Sequence, residues 1–351
     1  MLSYKNKITI QNVADMAGVS KTTVSRYING KYEYMSEETR QRIQQIIEKT
    51  GYMPSTSAQS LKSNRTGLIG LLIADIGNPF STALLTSITD SLHQIGYNVL
   101  VANANNSQRL EAEYLHSFLS RGVDGIIINP VLWESPLLVS LKEQGLPIIL
   151  LDREVKGCEL DLVYLENDRS IDCAVEHLRE QGYDDIWLLS WEYENISVRY
   201  YRYQAFLHSM RAFGVSEPEK QVYIQASASG AGLLEALDRI VTGSRRHGRI
   251  PGVITANEIL LLETIQAVKK LRLQMPQELG VCGFDDWGWS DMIWPTIFSP
   301  TITTLDADIQ KMGRMAAHLI VERITEPHQA VRKIAVPVEL VPRESTHLAK
   351  T

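Results

Sequence analysis

The feature that most constrains the fold is a regular alternation of short apolar runs and amphipathic stretches from Gly67 onwards. The runs are almost uninterrupted by polar residues, which is typical of parallel strands covered on both faces. They are Leu68–Ala74, Val99–Ala102, Gly125–Asn129, Ile148–Asp152, Leu162–Leu165, Ile186–Ser190, Val222–Gln225, Val253–Ala256 and Val281–Phe284. Helical stretches such as Ser107–Arg121, Ile171–Gln181 and Ile259–Leu271 separate them. The pattern predicts an α/β fold with doubly wound parallel sheets.

The length of this alternating region favours two lobes rather than one sheet. Of the 351 residues, about 285 belong to this region, which is more than one sheet comfortably accommodates. We predict a first lobe from about 67–162 plus 291–325, and a second lobe from about 163–290 plus 326–351. Ligands of such sheets bind outside the carboxyl ends of the strands. We therefore expect a binding site near the polar residues that follow the predicted strands, Asn78, Asn103, Asn129, Ser190, Asn257 and Asp285.

The residues before this region show apolar periods at helical spacing. One stripe with the i, i+3, i+4, i+7 spacing of a buried helix face comprises Ile10, Val13, Ala14 and Ala17. Gly18 suits the end of that helix, Ser20 the start of a second, and Ser36 the start of a third. We predict an all-α head over residues 1–53. Residues 54–66 are mostly polar, so we predict a linker or a helix that forms only on binding.

The charge of the chain is unevenly distributed. The net charge is −6, but residues 1–66 carry ten Lys and Arg against five Asp and Glu, a net charge of +5. The remaining residues therefore carry a net charge of −11. A basic head on an acidic body indicates that the head meets a polyanion. A solvated basic face is the alternative explanation of the charge alone.

Residues 12–30 have the spacing of a helix-turn-helix. Ala14 permits close packing of the second helix, Gly18 makes the turn and Val24 closes the hydrophobic contact. The second helix presents short polar and basic side chains to solvent, namely Lys21, Thr22, Thr23, Ser25 and Arg26. Such groups donate to phosphates and base edges in a major groove, and arginine suits bidentate contact with guanine. The alternative is a purely structural three-helix cap, but the turn, the charge and the N-terminal position together favour DNA binding.

Several short motifs occur in the order and spacing of a known family. They are Ala17-Gly18-Val19-Ser20, Thr23-Val24-Ser25-Arg26, Ser36-Glu37-Glu38-Thr39-Arg40, Gly51-Tyr52-Met53-Pro54, Leu151-Asp152-Arg153, Glu176-His177-Leu178, Gly283-Phe284-Asp285-Asp286 and the segment from Val338 to Thr346. On these motifs the chain resembles, over essentially its whole length, the lactose/galactose repressor (LacI/GalR) family of bacterial transcription regulators. The resemblance implies a helix-turn-helix head and a two-lobed effector domain like that of periplasmic sugar-binding proteins. It also implies a homodimer that binds a pseudo-palindromic operator as a repressor.

The resemblance implies roles for residues of the head. The base-reading positions of the family fall on Lys21, Thr22 and Arg26, and its phosphate-contacting positions fall on Thr23 and Ser25. In the family, the following segment forms a hinge helix whose leucine wedges into the minor groove and kinks the DNA. The corresponding residues here are Leu61, with Ala58 beside it, and Ser55, where most members have Asn. The loop 31–35 is slightly longer than in some relatives.

The resemblance also implies an effector site between the lobes. The matching positions are Asn78, Phe80, Arg202, Asn257, Asp285 and Trp287. An arginine with amides and a carboxylate in a dry cleft suits carbohydrate hydroxyls or a carboxylate. Trp287 and Trp289 either contact a sugar ring or simply cover the cleft. Arg199 adds positive charge and favours an anionic effector; a solvated helix face is the alternative for Arg199. The Gly283–Trp289 stretch resembles branches of the family that sense sugar acids such as 2-keto-3-deoxygluconate.

No sequence feature indicates an enzyme, a cofactor or a metal site. There is no nucleophile elbow, Walker loop or dinucleotide fingerprint. The three cysteines form no CxxC pair, and the first residues include no apolar stretch, so we expect a cytoplasmic protein without a signal peptide. No apolar run reaches the roughly 18–20 residues of a membrane span. Two alternatives remain open: a sugar-binding protein whose head serves assembly, and a carbohydrate-active enzyme, which needs an acid and a base in the cleft.

Overall fold

The structure, a computed structural model, describes residues 8–52, 65–225, 231–284, 286, 288–289 and 292–348. The chain divides into two compact units, Met1–Gly67 and Leu68–Thr351. The helices are α1 Ile10–Ala17, α2 Lys21–Ile28, α3 Glu37–Thr50, α4 Pro79–Ile95, α5 Gln108–Ser120, α6 Pro136–Glu143, α7 Asn167–Glu180, α8 Ser197–Ala212, α9 Ala231–Arg246, α10 Glu258–Leu271 and α11 Ile309–Thr325. Among them, none is long and apolar enough to cross a lipid bilayer.

The strands number fourteen in the described part of the chain. They are β1 Leu68–Ile73, β2 Asn98–Asn103, β3 Gly125–Ile128, β4 Ile148–Leu151, β5 Asp161–Leu165, β6 Asp185–Trp191, β7 Val222–Gln225, β8 Pro251–Thr255, β9 Gly280–Phe284, β10 Gly288–Trp289, β11 Met292–Ile293, β12 Thr303–Ala307, β13 Lys333–Val336 and β14 Val338–Val341. The nine apolar runs identified in the sequence correspond to β1–β9. The doubly wound α/β prediction is confirmed.

The first unit contains three helices around a small apolar centre. Val13, Ala14, Val24 and Ile43 are fully buried there, which accounts for the apolar spacing on α1, α2 and α3. Gly18 has φ 64°, a left-handed conformation that glycine adopts without strain, and it ends α1. This turn sets the direction in which α2 begins, so the helix-turn-helix geometry follows from local sequence.

The second unit contains two six-stranded sheets, one in each lobe. Sheet 1 has the strand order β13-β5-β4-β3-β1-β2, and all its strands are parallel. Sheet 2 has the order β14-β12-β9-β8-β6-β7, and β14 alone pairs antiparallel, with β12. Helices cover both sheets and bury the continuous apolar runs. Each lobe therefore has the predicted architecture, and the strand ends of each lobe can present side chains to a cleft.

The chain passes between the lobes three times, each time later in the sequence than predicted, so the three predicted boundaries are wrong. It crosses after β5, between β12 and α11, and between β13 and β14. The sequence prediction ended lobe 1 at about 162 and assigned 291–325 to it, but β5 continues in sheet 1 to Leu165 and β12 belongs to sheet 2. It assigned 326–351 to lobe 2, but β13 pairs with β5 in sheet 1.

The physical reason for the wrong boundaries lies in long-range pairing. The short strands β12, β13 and β14 carry no local signal that distinguishes one sheet from the other. α11 nevertheless packs on α4 of lobe 1, where Gly313 lies so close to Ser87 that no Cβ would fit between them. Pairing and packing with other parts of the chain, such as β13 with β5 and α11 with α4, therefore decide which lobe receives each segment.

Candidate nucleic-acid interface and effector cleft

The start of α2 is held by a hydrogen-bonded cap. Ser20 Oγ accepts from the Thr23 backbone N–H at 3.1 Å, and the two hydroxyl oxygens lie 3.0 Å apart. The side chains of Lys21, Thr22 and Arg26 are exposed, whereas Thr23 and Ser25 are half-buried. α2 thus presents the three residues predicted to read bases, while one predicted phosphate contact, Thr23, also serves the cap. The roles of these five residues on DNA stay predictions.

The loop between α2 and α3 places two tyrosines beside the exposed side chains of α2 and α3. Tyr34 is 61% exposed, and its ring centroid lies 4.9 Å from the guanidinium carbon of Arg26. The ring of Tyr32 lies 4.3 Å from the guanidinium carbon of Arg40 and 5.6 Å from the ring of Tyr27. Sequence reasoning singled out the loop for its length but missed both tyrosines. The available signal was an aromatic pair at Tyr32 and Tyr34 in a short polar loop beside a basic helix.

Ser55, Ala58 and Leu61 lie outside the residues that the structure describes. Their assignment to a minor-groove hinge rests on the sequence resemblance and stays a prediction.

A cavity of about 70 Å³ lies between the lobes at the carboxyl ends of the strands. Four of the six predicted effector residues line it, namely Asn78, Phe80, Arg202 and Asn257. The other two, Asp285 and Trp287, lie outside the described residues. The structure therefore brings together four predicted residues from two lobes, although their binding of a ligand stays a prediction.

Two of these residues also begin helices. Asn78 Oδ1 accepts from the Ser81 backbone N–H at 3.3 Å at the start of α4, and Asn257 Oδ1 accepts from the Leu260 backbone N–H at 2.8 Å at the start of α10. The caps use the amide oxygens and fix the orientation of both side chains. Each amide Nδ2 is then the group that can donate to a ligand in the cleft.

Three arginines supply positive charge to the cleft. Arg202, only 6% exposed, donates from Nε to Asn167 Oδ1 at 2.8 Å, and its guanidinium carbon lies 3.6 Å from the ring centroid of Phe284. Arg153 donates to the carbonyl oxygen of Pro130 at 2.9 Å. Burial, together with the charges of Arg153 and Arg202, lowers the pKa of Arg199 to about 10. Arg199 still carries its charge at neutral pH, and it lines the cavity instead of forming only a solvated helix face.

Two carboxylates that sequence reasoning did not assign to the effector also line the cavity. Asp152, which has φ 59°, and Glu258, which is 2% exposed, face the arginines. Burial raises the pKa of Asp152, while the nearby Arg202 and Arg153 oppose that increase. Within the described residues, Asp152 Oδ1 and Glu258 Oε1 are buried without a hydrogen-bond partner. A buried acceptor without a partner costs free energy, so these two oxygens suit the hydroxyl donors of a ligand.

Contacts between the lobes lie beside the cleft. The Trp133 backbone N–H of lobe 1 donates to the Asn195 carbonyl oxygen of lobe 2 at 2.8 Å. The Glu154 backbone N–H donates to Ser197 Oγ at 2.9 Å, and the Tyr201 hydroxyl donates to the Glu154 carboxylate. These bonds hold the lobes in one arrangement, so a change in the angle between the lobes must break them.

The described residues contain no group of three or more His, Cys, Asp and Glu side chains that could hold a metal ion. Among the described residues, the polar side chains that line the cleft are three guanidinium groups, two carboxylates, the Ser81 hydroxyl and three amides, those of Asn78, Asn129 and Asn257. This set can form hydrogen bonds with a polyhydroxylated ligand and can neutralise a negative charge on it.

Comparison with known proteins gives matches in both units of the chain. Residues 9–55 match bacterial regulatory proteins of the lacI family, and residues 175–346 match a periplasmic binding protein-like domain. The transcriptional regulator PtxS of Pseudomonas putida is 32% identical over 343 residues, which are 97% of this chain and 97% of the relative. The transcriptional regulator KdgR of Bacillus subtilis is 31% identical over 340 residues, 96% of this chain and 97% of the relative.

A solved structure shows the same fold. The lac repressor dimer bound to operator and the anti-inducer ONPF has a TM-score of 0.80 at 21% identity, over 97% of this chain and 99% of that chain. The identity is low, so this likeness bears on the fold alone. Relatives above 30% identity along nearly the whole length, and a helix-turn-helix followed by two doubly wound lobes, lead to one conclusion: the chain belongs to the LacI family of bacterial regulatory proteins.

Proposed function

We propose that this protein is a transcriptional repressor of a carbohydrate catabolic operon whose affinity for operator DNA is controlled by a sugar acid bound between the lobes. The effector we propose is 2-keto-3-deoxygluconate. The observation that carries the effector class is the cleft itself, with three arginines and two buried carboxylate oxygens that have no partner among the described residues.

The charge of the cleft favours binding of a sugar acid over binding of a neutral sugar. Among the described residues that line the cavity, three guanidinium groups stand against two carboxyl groups, so the lining has an excess of basic groups that includes Arg199. A carboxylate on the effector compensates that excess, and hydroxyl groups of the effector donate to Asp152 Oδ1 and Glu258 Oε1. A neutral hexose satisfies the carboxylate oxygens but leaves Arg199 without an anionic partner from the ligand.

The DNA-binding part of the proposal rests on α2. Its exposed side chains include the basic Lys21 and Arg26, and a pair of such helices in a homodimer reads two half-sites about one helical turn apart. We expect the protein to act in the cytoplasm, where the chromosome lies. Phosphate neutralisation makes the affinity fall steeply as the salt concentration rises. A protein whose head serves only assembly would bind no DNA at any salt concentration.

Control requires a change between two lobe arrangements. The cavity of about 70 Å³ is smaller than the roughly 300–1,000 Å³ of ligand sites, so an effector enters when the lobes or the lining side chains move. Effector binding then stabilises one lobe angle, which breaks or forms the contacts at Trp133 and Glu154. The effector changes DNA affinity only by its different affinities for the two arrangements.

A thermal-shift titration tests the effector class. We expect 2-keto-3-deoxygluconate to raise the melting temperature and neutral hexoses to do so only at much higher concentration, because a ligand of the folded state stabilises it. Arg199→Gln should weaken binding of the acid about tenfold or more, since a hydrogen bond to a charged group contributes about 1.5–3 kcal/mol.

Arg211→Gln is the matched control, because Arg211 lies on the same helix, α8, but does not line the cavity. Equal shifts with neutral and acidic sugars, or equal losses in both variants, would contradict the proposed effector class. If the unsubstituted protein shows no salt-dependent DNA binding, the proposal that it is a DNA-binding regulator is contradicted.

A further inference from the structure

A second and larger cavity lies in lobe 2, at the end of the sheet away from the cleft. Its volume is about 540 Å³, and it lies between β6, the edge strand β7 and the inner face of α9. Asp185 and Val222, the first residues of their strands, line it. It shares no lining residue with the effector cavity. We call it the edge pocket; its lining includes Asp185, Trp187, Tyr223, Arg239, Gly243 and Arg249.

One wall of the edge pocket is aromatic and held in place. Trp187 and Tyr223 lie on the same face of the sheet, because Leu188 pairs with Val222 and Leu189 with Tyr223. Trp187 Nε1 donates to Asp185 Oδ1 at 3.0 Å, which fixes the indole ring. Gln221 Nε2 donates to the same oxygen at 2.8 Å, and the Ser244 hydroxyl donates to Oδ2. Three donors thus form hydrogen bonds with the carboxylate of Asp185. Among the described residues that line the pocket, Asp185 is the only acidic one.

The opposite wall is left open by a glycine. Gly243 lies inside α9, where glycine costs about 1 kcal/mol relative to alanine. A Cβ added to Gly243 would meet no atom within 4 Å, whereas one added to Gly280 or Gly283 of the same lobe would clash with neighbouring side chains. Close packing therefore explains Gly280 and Gly283 but not Gly243. The missing side chain keeps the volume of the edge pocket free.

The rim of the pocket is basic. Arg239, His247 and Arg249 are exposed and line it. Two nearby carboxylates, Glu235 and Glu263, act on Tyr223 but are not among the lining residues. An apolar aromatic wall beneath arginines is a surface for a flat ring that carries an anionic group.

We propose that the edge pocket is a second ligand site, which binds a small organic anion with a flat apolar ring. The ring lies against Trp187 and Tyr223, and the anionic group, a phosphate, sulfonate or carboxylate, meets Arg239 and Arg249. The volume of about 540 Å³ lies within the range of small-molecule sites and is too small for a folded partner.

Fluorescence of 8-anilinonaphthalene-1-sulfonate, an aromatic anion, tests the proposal on the full chain. We expect saturable binding that Gly243→Met reduces at least fivefold, because the added Cβ meets no atom within 4 Å and the flexible side chain beyond it occupies the pocket. The double variant Arg239→Ala/Arg249→Ala should weaken binding about tenfold. The uncharged probe N-phenyl-1-naphthylamine, with the same rings and no sulfonate, should bind at least tenfold more weakly than the anion.

Arg246→Ala is the matched control, because Arg246 is exposed at the end of the same helix and does not line the pocket. It should change the affinity less than twofold. The melting temperature of Gly243→Met should be unchanged or raised. A loss of probe binding then results from the filled pocket and not from unfolding of the protein. Binding that Gly243→Met does not reduce, equal affinity for both probes, or an equal loss in Arg246→Ala would overturn the proposal. DNA binding by Gly243→Met should stay normal, since this pocket is distinct from the cleft.

Discussion

Substitution of Tyr34 by alanine should weaken binding to the operator through Arg26. The ring centroid of Tyr34 lies 4.9 Å from the guanidinium carbon of Arg26, within the range of a cation–π contact. The tyrosine is 61% exposed, and exposed contacts of this kind contribute about 0.5–1 kcal/mol. The ring restricts Arg26 to one side of α2 before DNA arrives, so the arginine loses less conformational freedom when it contacts a base. The expected loss is about two- to fivefold in Kd.

Fluorescence anisotropy with two duplexes measures this effect. One duplex is an operator fragment selected from genomic DNA by the protein itself, and the other is a random sequence of equal length. Arg26→Ala should cost about 1–3 kcal/mol on the operator and little on random DNA. Tyr34→Phe, which retains the ring, should bind like the unsubstituted chain.

A double-substitution cycle gives the decisive result. If Tyr34 acts through Arg26, Tyr34→Ala adds little once Arg26 is already alanine. The same loss in both backgrounds, or tighter operator binding by Tyr34→Ala, would refute the reasoning. An equal loss on random DNA would show instead that Tyr34 contacts the phosphate backbone.

Three further substitutions test the packing within the two lobes. Arg323→Met should cost about 3–5 kcal/mol in urea unfolding, because Asp161, which accepts from Arg323 at 2.7 and 2.8 Å, would remain buried without a cationic partner; a cost below about 1 kcal/mol would contradict this. Burial lowers the pKa of His177, so the unfolded chain takes up a proton more readily and stability falls as the pH drops below about 6.5. His177→Gln should flatten that dependence in urea titrations between about pH 7 and pH 5, and an unchanged slope would exclude the histidine as its source. Gly283→Ala should lower the melting temperature at a cost of about 1–3 kcal/mol, because its Cβ would clash with Leu261; an unchanged melting temperature would show that the neighbour yields.

The local parts of this structure could be predicted from the sequence. The helix-turn-helix depends on a cap at Ser20, a turn at Gly18 and apolar residues a few positions apart, all of which act over short distances. The nine central strands could be recognised because a strand buried on both faces must be apolar along its whole length. The same locality explains why Asn78 and Asn257, each at the start of a helix after a strand, were identified.

Tertiary structure alone decided how the lobes are connected and what the cleft contains. Strand β13 joins sheet 1 through β5, far away in sequence, and no short pattern encodes that pairing. Asp152 and Glu258 became candidate ligand contacts only because folding buried their oxygens beside arginines from other segments. Burial and the lack of a hydrogen-bond partner depend on the residues that surround a side chain in the fold, not on its residue type. The sequence by itself therefore determined the elements and the family, while packing between distant segments determined the charge and the shape of both cavities.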